Sequence, residues 1–207
     1  MRYADFEWVF VDMGSTFVDE SLCIEKRITD TIASSLITKA EFEAVMRRFA
    51  RQNLDAYKSA CAYFGLEKAH WHEELEMLYP GTEETLLSLK RRFKLGIIGN
   101  QPESAIDKLK GWNIYELFDA VIISSSEGFA KPDVRLFMSA LNKTSCDPEN
   151  ACMAGDRLDN DILPAMQLHM KTVWVRQGFG GLGSAALLPC PIDYTVNSFN
   201  EIASLLC

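Results

Sequence analysis

Five short apolar runs, each closed abruptly by turn-forming or polar residues, limit what this chain can fold into. Residues 8–11 stop at Asp12-Met13-Gly14, 95–98 at Gly99-Asn100, 120–123 at a run of serines, 151–154 at Gly155-Asp156, and 172–175 at Arg176. Runs that are apolar at nearly every position suit strands covered on both faces of a parallel sheet. Tyr194-Thr195-Val196 adds a sixth strand at an edge. Helical patterns separate the runs: one capped by Thr82 with Leu86, Leu89 and Phe93 on one face, then 133–141, then 162–168. Strands alternating with helices imply right-handed crossovers and an α/β fold, a Rossmann-like doubly wound parallel sheet. In such a sheet, functional groups gather beyond the carboxyl ends of the strands.

Residues 22–79 break the alternation and read as helices throughout. Ile24, Ile28, Ile32 and Leu36 recur at helical spacing, and Thr38 with Glu41 forms a capping-box pattern before Phe42, Val45, Met46 and Phe49. Leu54, Tyr57, Cys61 and Phe64 mark a third helix, and Trp71, Leu75 and Leu78 a fourth. The expected organisation is an α/β core of residues 1–21 and 80–207 with an inserted α-helical cap of residues 22–79. An insert after the first strand sits over the strand ends, as a lid would. The cap aromatics, Trp71 and Tyr57 among them, read mainly as bundle core, with room for one or two to face the site, and His70 and His72 as surface residues.

A formal net charge of −8 disfavours a nucleic-acid or anionic-membrane partner, since both need a basic face. No stretch is long and apolar enough for a membrane span, and the charged residues 1–7 lack an apolar leader. The six cysteines form no CxxC pair and read as free thiols, which suits a cytoplasmic protein.

Four strand ends carry chemistry. They are Asp12-Met13-Gly14-Ser15-Thr16; Gly99-Asn100; Lys131-Pro132-Asp133, after the third strand; and Gly155-Asp156 with Asp161 beyond. A doubly wound sheet can bring Asp12, Lys131, Asp156 and Asp161 together. Clustered carboxylates repel unless a cation holds them, and hard oxygen donors favour Mg²⁺. Backbone N–H groups at Met13 to Thr16 can cradle a phosphate, and a carboxylate nucleophile would form an acyl-phosphate that water opens.

The order of these segments resembles the haloacid dehalogenase-like hydrolase superfamily. The most specific matches are Gly128-x-x-Lys131-Pro132-Asp133 and Gly155-Asp156-x-x-x-Asn160-Asp161. The resemblance implies that Asp12 is the nucleophile and a Mg²⁺ ligand, alongside the Gly14 carbonyl and Asp156, with Asp161 supporting the metal. It implies that Lys131 holds Asp12 and the phosphoryl group, with Ser15, Thr16, Gly99 and Asn100 contacting substrate. The activity implied is Mg²⁺-dependent hydrolysis of a small phosphorylated metabolite, by a monomer or homodimer.

Two positions depart from that pattern. The superfamily's phosphatases usually carry a second aspartate, a general acid and base, where this chain has Gly14, and a Ser or Thr where it has Gly99. Asp19, Glu20 or a cap residue is the candidate replacement for the first. Gly14 also keeps two alternatives open: a binding or regulatory protein with little turnover, and a phosphonate- or carbon–halogen-cleaving hydrolase.

Overall fold

The computed structural model describes residues 5–207, so residues 1–4 of the charged N-terminal stretch lie outside it. Its strands are β1 (Trp8–Val11), β2 (Val18–Asp19), β3 (Met77–Leu78), β4 (Lys94–Gly99), β5 (Ala120–Ile123), β6 (Ala151–Gly155), β7 (Lys171–Val175) and β8 (Tyr194–Val196). Its helices are α1 (Ser21–Ile32), α2 (Lys39–Ala50), α3 (Ala56–Phe64), α4 (Thr82–Lys90), α5 (Ser104–Gly111), α6 (Ser124–Glu127), α7 (Val134–Thr144), α8 (Leu163–Gln167) and α9 (Glu201–Leu206).

Six strands form one parallel sheet in the order β5-β4-β1-β6-β7-β8. The strand order therefore reverses at β1, which lies between β4 and β6. Such a reversal opens a crevice at the carboxyl ends, and Asp12 is the first residue past β1.

Successive strand side chains point to opposite faces, so each all-apolar run feeds two cores. On one face Val9, Val11, Leu95 and Ile97 pack with Leu86 and Leu89 of α4 and Leu109 of α5. On the other, Phe10, Ile98 and Met153 pack with Leu136 and Phe137 of α7 and Ala165 of α8. Each large side chain buried this way contributes roughly 1.5–3 kcal/mol, which keeps the strand ends in register beneath the site.

Helices α1 to α3 build a separate apolar cluster around Ile28, Phe42, Met46, Ala60 and Cys61. The expected capping box at Thr38 and Glu41 opens α2. Phe179 and Leu182, from the segment after β7, pack against this cluster. Below it, β2 and β3 pair antiparallel, forming a ribbon where the chain leaves and re-enters the sheet layer.

Two local expectations are corrected. No fourth helix forms around Trp71, Leu75 and Leu78: Glu73–Leu75 makes a single tight turn and Leu78 joins β3. The apolar residues there have different destinations instead of one helix face, since Leu78 pairs with Val18 and the Trp71 indole donates to Glu76 at 2.7 Å. Thr82 does not cap α4; Gly81 occupies that position, and the buried Thr82 hydroxyl donates to the Phe17 carbonyl at 3.2 Å. All six cysteines are free among the described residues. No helix among these residues is long and apolar enough to cross a membrane.

Candidate active site

The Asp12 backbone N–H still follows the sheet, donating to Ala154 at 2.9 Å. The chain then turns at once. Ser15 N–H donates to the Val18 carbonyl at 2.9 Å and Thr16 N–H to Met13 at 3.2 Å, with Ser15 left-handed at φ 55°. These bonds occupy the amides of Ser15 and Thr16, so a phosphate cradled by this turn would draw on Met13 and Gly14. The Thr16 hydroxyl accepts from Asp156 N–H at 3.1 Å and lies 3.4 Å from Asp12 Oδ2, linking the ends of β1 and β6.

Lys131 enters from the loop between α6 and α7. Its ammonium donates to Asp12 Oδ1 and Asp161 Oδ1, both at 2.6 Å. The Asn100 side chain holds the Lys131 backbone, accepting from its N–H at 2.6 Å and donating to its carbonyl at 2.9 Å. Asp161 lies in the wide turn Leu158–Ile162, and its Oδ2 accepts from Arg157 N–H at 3.0 Å. Gly155 permits that approach, because a Cβ there would stand 2.4 Å from Asp161 Oδ2. The Asp156 carbonyl accepts from the Trp174 indole at 2.8 Å, which anchors the end of β6 to β7.

The structure thus brings together Asp12, Lys131, Asp156 and Asp161, exposed by 9%, 5%, 4% and 1% respectively. The three aspartates offer oxygens within 4.8 Å of one another. Burial pushes the Asp156 carboxyl well above the usual range, and the charges of Asp161 and Asp12 add to this. Asp161 is also raised by burial, with Lys131 pulling the other way. Burial alone would lower Lys131, but Asp12 and Asp161 outweigh it and push it up to about 12. One ammonium therefore faces three buried carboxylates, and an excess of buried negative charge is relieved by a further cation. An all-oxygen donor set suits Mg²⁺, so the residues present fit that ion.

A cavity of about 260 Å³ lies between these carboxylates and the helical layer. Ile24, Met46, Tyr57, Trp71 and Phe179 supply its apolar wall. Tyr57 packs against the helical cluster as expected and also lines this cavity; Trp71, expected in that core, lies in the irregular segment after α3 and lines the cavity. Arg157 at its edge, a residue the sequence reading missed, pairs with Asp159 at 2.5 Å and Asp55 at 3.7 Å. The place of Arg157 directly after Gly155-Asp156 is the signal that could have marked it. His72 bonds Asp30 at 2.8 Å and Glu74 at 2.9 Å, bracing α1 against the turn at Glu73. Glu20 also lines the cavity. Burial pushes its carboxyl up to about 7, against the lowering effect of a Ser15 hydrogen bond and with a smaller raising contribution from Asp12.

Residues 9–175, well over half of the chain, match the family model of the haloacid dehalogenase-like hydrolases. The chain belongs to this family. Among curated haloacid dehalogenase-like and other phosphatases, it is 41% identical over 102 residues to the glyceraldehyde 3-phosphate phosphatase of Pyrococcus furiosus, covering 48% of this chain and 42% of that protein. It is 37% identical over 103 residues to the phosphoserine phosphatase of Thermus thermophilus, covering 49% and 41%. The matched part spans about half or less of the length of these relatives. Among solved structures, a predicted phosphoglycolate phosphatase from Haemophilus somnus aligns over 99% of both chains, at 20% identity and a TM-score of 0.71. A HAD phosphatase from Thermococcus onnurineus covers 97% of this chain and 98% of its own, at 24% identity and a TM-score of 0.65. At those identities the likeness is one of fold.

Proposed function

We propose that this haloacid dehalogenase-like hydrolase is a cytoplasmic, Mg²⁺-dependent phosphohydrolase that cleaves a small phosphate monoester through an aspartyl-phosphate at Asp12. The observation that carries this reading is the buried cluster in which one ammonium, Lys131, bridges Asp12 and Asp161 beside Asp156. Asp12, Asp156 and the Gly14 carbonyl would hold the metal, with Asp161 supporting them. A bound Mg²⁺ supplies positive charge between an anionic ester and an anionic nucleophile. Lys131 fixes the Asp12 carboxylate and neutralises part of the phosphoryl charge, while Asn100 holds Lys131 at the right height. The Asp12 carboxylate attacks phosphorus, the alcohol leaves, and water then opens the acyl-phosphate. Residues 22–79 act as the cap that keeps bulk water from the reacting groups.

The cavity favours an ester whose alcohol part carries no second anion. Among the described residues the cations in its wall are Lys131 and Arg157, and carboxylates already engage both. Apolar and aromatic side chains share the rest of the wall with uncharged polar groups such as Asn53, Gln101 and Asn160, and a volume of about 260 Å³ suits a few-carbon alcohol. The names of the phosphatase relatives support the same reaction class.

A panel of phosphate monoesters assayed with Mg²⁺ tests the reading. Asp12→Asn is expected to lose turnover by on the order of 10⁴-fold or more. Turnover that survives this change would remove Asp12 as nucleophile. No turnover by the native chain on any ester would favour the rival reading, a binding protein with an idle site, which Gly14 supports.

A further inference from the structure

The nearest atoms to an ideal Cβ built on Gly14 belong to the Glu20 carboxyl: Oε1 lies 2.4 Å away and Oε2 2.9 Å. The Glu20 carboxyl thus fills the space that a side chain at position 14 would take, directly after the nucleophile's turn. It reaches there from the residue preceding α1, where the sheet layer gives way to the helical segment. The Ser15 hydroxyl donates to Glu20 Oε2 at 2.8 Å and pins the group in place. No ion pair to Glu20 forms among the described residues, although it lines the same cavity as Asp12. The other acidic groups at the strand ends have other roles. Asp12 and Asp161 receive Lys131, and Asp156 belongs with them to the buried group that would hold the metal.

Ester cleavage at Asp12 creates two needs that this cluster does not meet. An alkoxide leaving from phosphorus needs a proton, and the water that later attacks the acyl-phosphate must lose one. We propose that Glu20 is the catalytic proton-transfer residue of this site, supplying from the next element the carboxyl that position 14 lacks. The proposal rests on the phosphohydrolase reading above. In the first step Asp12 displaces the alcohol oxygen from phosphorus, and the Glu20 carboxyl gives its proton to that oxygen, releasing ROH. In the second, Glu20 as carboxylate takes one proton from water. The hydroxide oxygen bonds to phosphorus, the Asp12–phosphate bond breaks, and hydrogen phosphate leaves with both side chains restored.

Leaving-group chemistry separates this role from a merely structural one. Native protein and Glu20→Gln are compared with Mg²⁺ on glycerol phosphate and on p-nitrophenyl phosphate, whose phenolate leaves without help. Glu20→Gln is expected to cut glycerol phosphate turnover by about 100- to 10,000-fold. With the nitrophenyl ester it should still release about one equivalent of phenolate per site in a fast burst, then stall as acyl-phosphate opening slows. Stabilisation against heat by Mg²⁺ with beryllium fluoride should persist in the variant, reporting an intact site. As a second arm, Glu20→Ala combined with Gly14→Asp returns a carboxyl to the same space from the other residue, and should recover at least about tenfold over Glu20→Ala alone. Equal activity of native and Glu20→Gln on both esters overturns the assignment. So does an equal loss on both without a burst, or an absence of recovery while beryllium fluoride still binds. A native protein inert to both esters and to the whole monoester panel removes the phosphohydrolase reading itself, and the role of Glu20 with it.

Discussion

The side-chain amide of Asn100 grips the peptide of Lys131 from both ends, accepting its N–H at 2.6 Å and donating to its carbonyl at 2.9 Å. The two residues are far apart in sequence, and this clasp sets where the Lys131 ammonium meets Asp12. Asn100→Ala is expected to lower kcat on the order of 10- to 100-fold through misplacement of Lys131. KM should move much less, and unpaired backbone groups should cost about 1–3 kcal/mol of stability. Steady-state kinetics and urea unfolding on the same preparation check both parts.

Among the described residues, Lys131 is the one buried cation, and it sits among three buried carboxylates. Lys131→Met should abolish turnover and destabilise the metal-free fold by about 3–5 kcal/mol, the usual consequence of stranding a buried charge. The deficit should shrink on acidification. Asp156 and Asp161 are both raised in the fold, so each favours the protonated state there and relieves strain as pH falls toward ordinary carboxylate values. Urea unfolding in a chelator at about pH 7 and about pH 5 reads this difference; a deficit that grows at the lower pH would contradict the electrostatic account.

Metal should stabilise the native chain visibly. Mg²⁺ at about 100 times its Kd adds roughly 2.7 kcal/mol to the fold. Asp156→Asn removes a carboxylate from the cluster, so its metal-free form should be at least as stable as the native chain while the Mg²⁺ increment falls sharply. Thermal unfolding with and without chelator measures both, and an undiminished increment would take Asp156 out of the metal site.

Asn53, which ends the α2 region at φ 58°, exchanges two hydrogen bonds with Ser184: its amide donates to the carbonyl at 3.0 Å and accepts from the N–H at 2.8 Å. Together with Arg157–Asp55 it fastens the helical layer across the cavity. Asn53→Gly keeps the left-handed backbone without strain and removes both bonds, for a loss of about 1–3 kcal/mol. Amide exchange in α2 and α3 should quicken, and KM should rise more than kcat falls.

His72 is raised above its ordinary value by hydrogen bonds to Glu74 first and Asp30 next. The sign of its linkage follows. Its stabilising contribution is complete below the unfolded value of about 6.5 and fades as pH rises through the folded value. Ring-proton NMR should place the His72 midpoint above about 6.5, and His72→Gln should flatten the pH slope of stability across that window.

Much of the architecture was legible in the order of residues. The apolar runs at 8–11, 95–98, 120–123, 151–154 and 172–175 each became a sheet strand, because two-sided burial leaves no room for polar residues. Asp12, Lys131, Asp156 and Asp161 could be singled out for a related reason. Each follows a strand's carboxyl end, and a doubly wound sheet sends those ends to one edge. The fourth cap helix failed where periodicity was a poor guide, since Trp71 and Leu78 separate to the cavity and to the ribbon.

What the sequence by itself determined is the strand–helix alternation, the family, and the set of charged groups at the strand ends, all consequences of local pattern and chain order. Only the tertiary structure decided which amides remain free in the turn after Asp12, which aromatics face the cavity, that Asn100 clasps Lys131, and that Glu20 fills the space beside Gly14. Those outcomes depend on distances between segments that meet after folding. A pattern along the chain constrains which face a residue occupies, but the direction in which one carboxyl points is set by the packing around it.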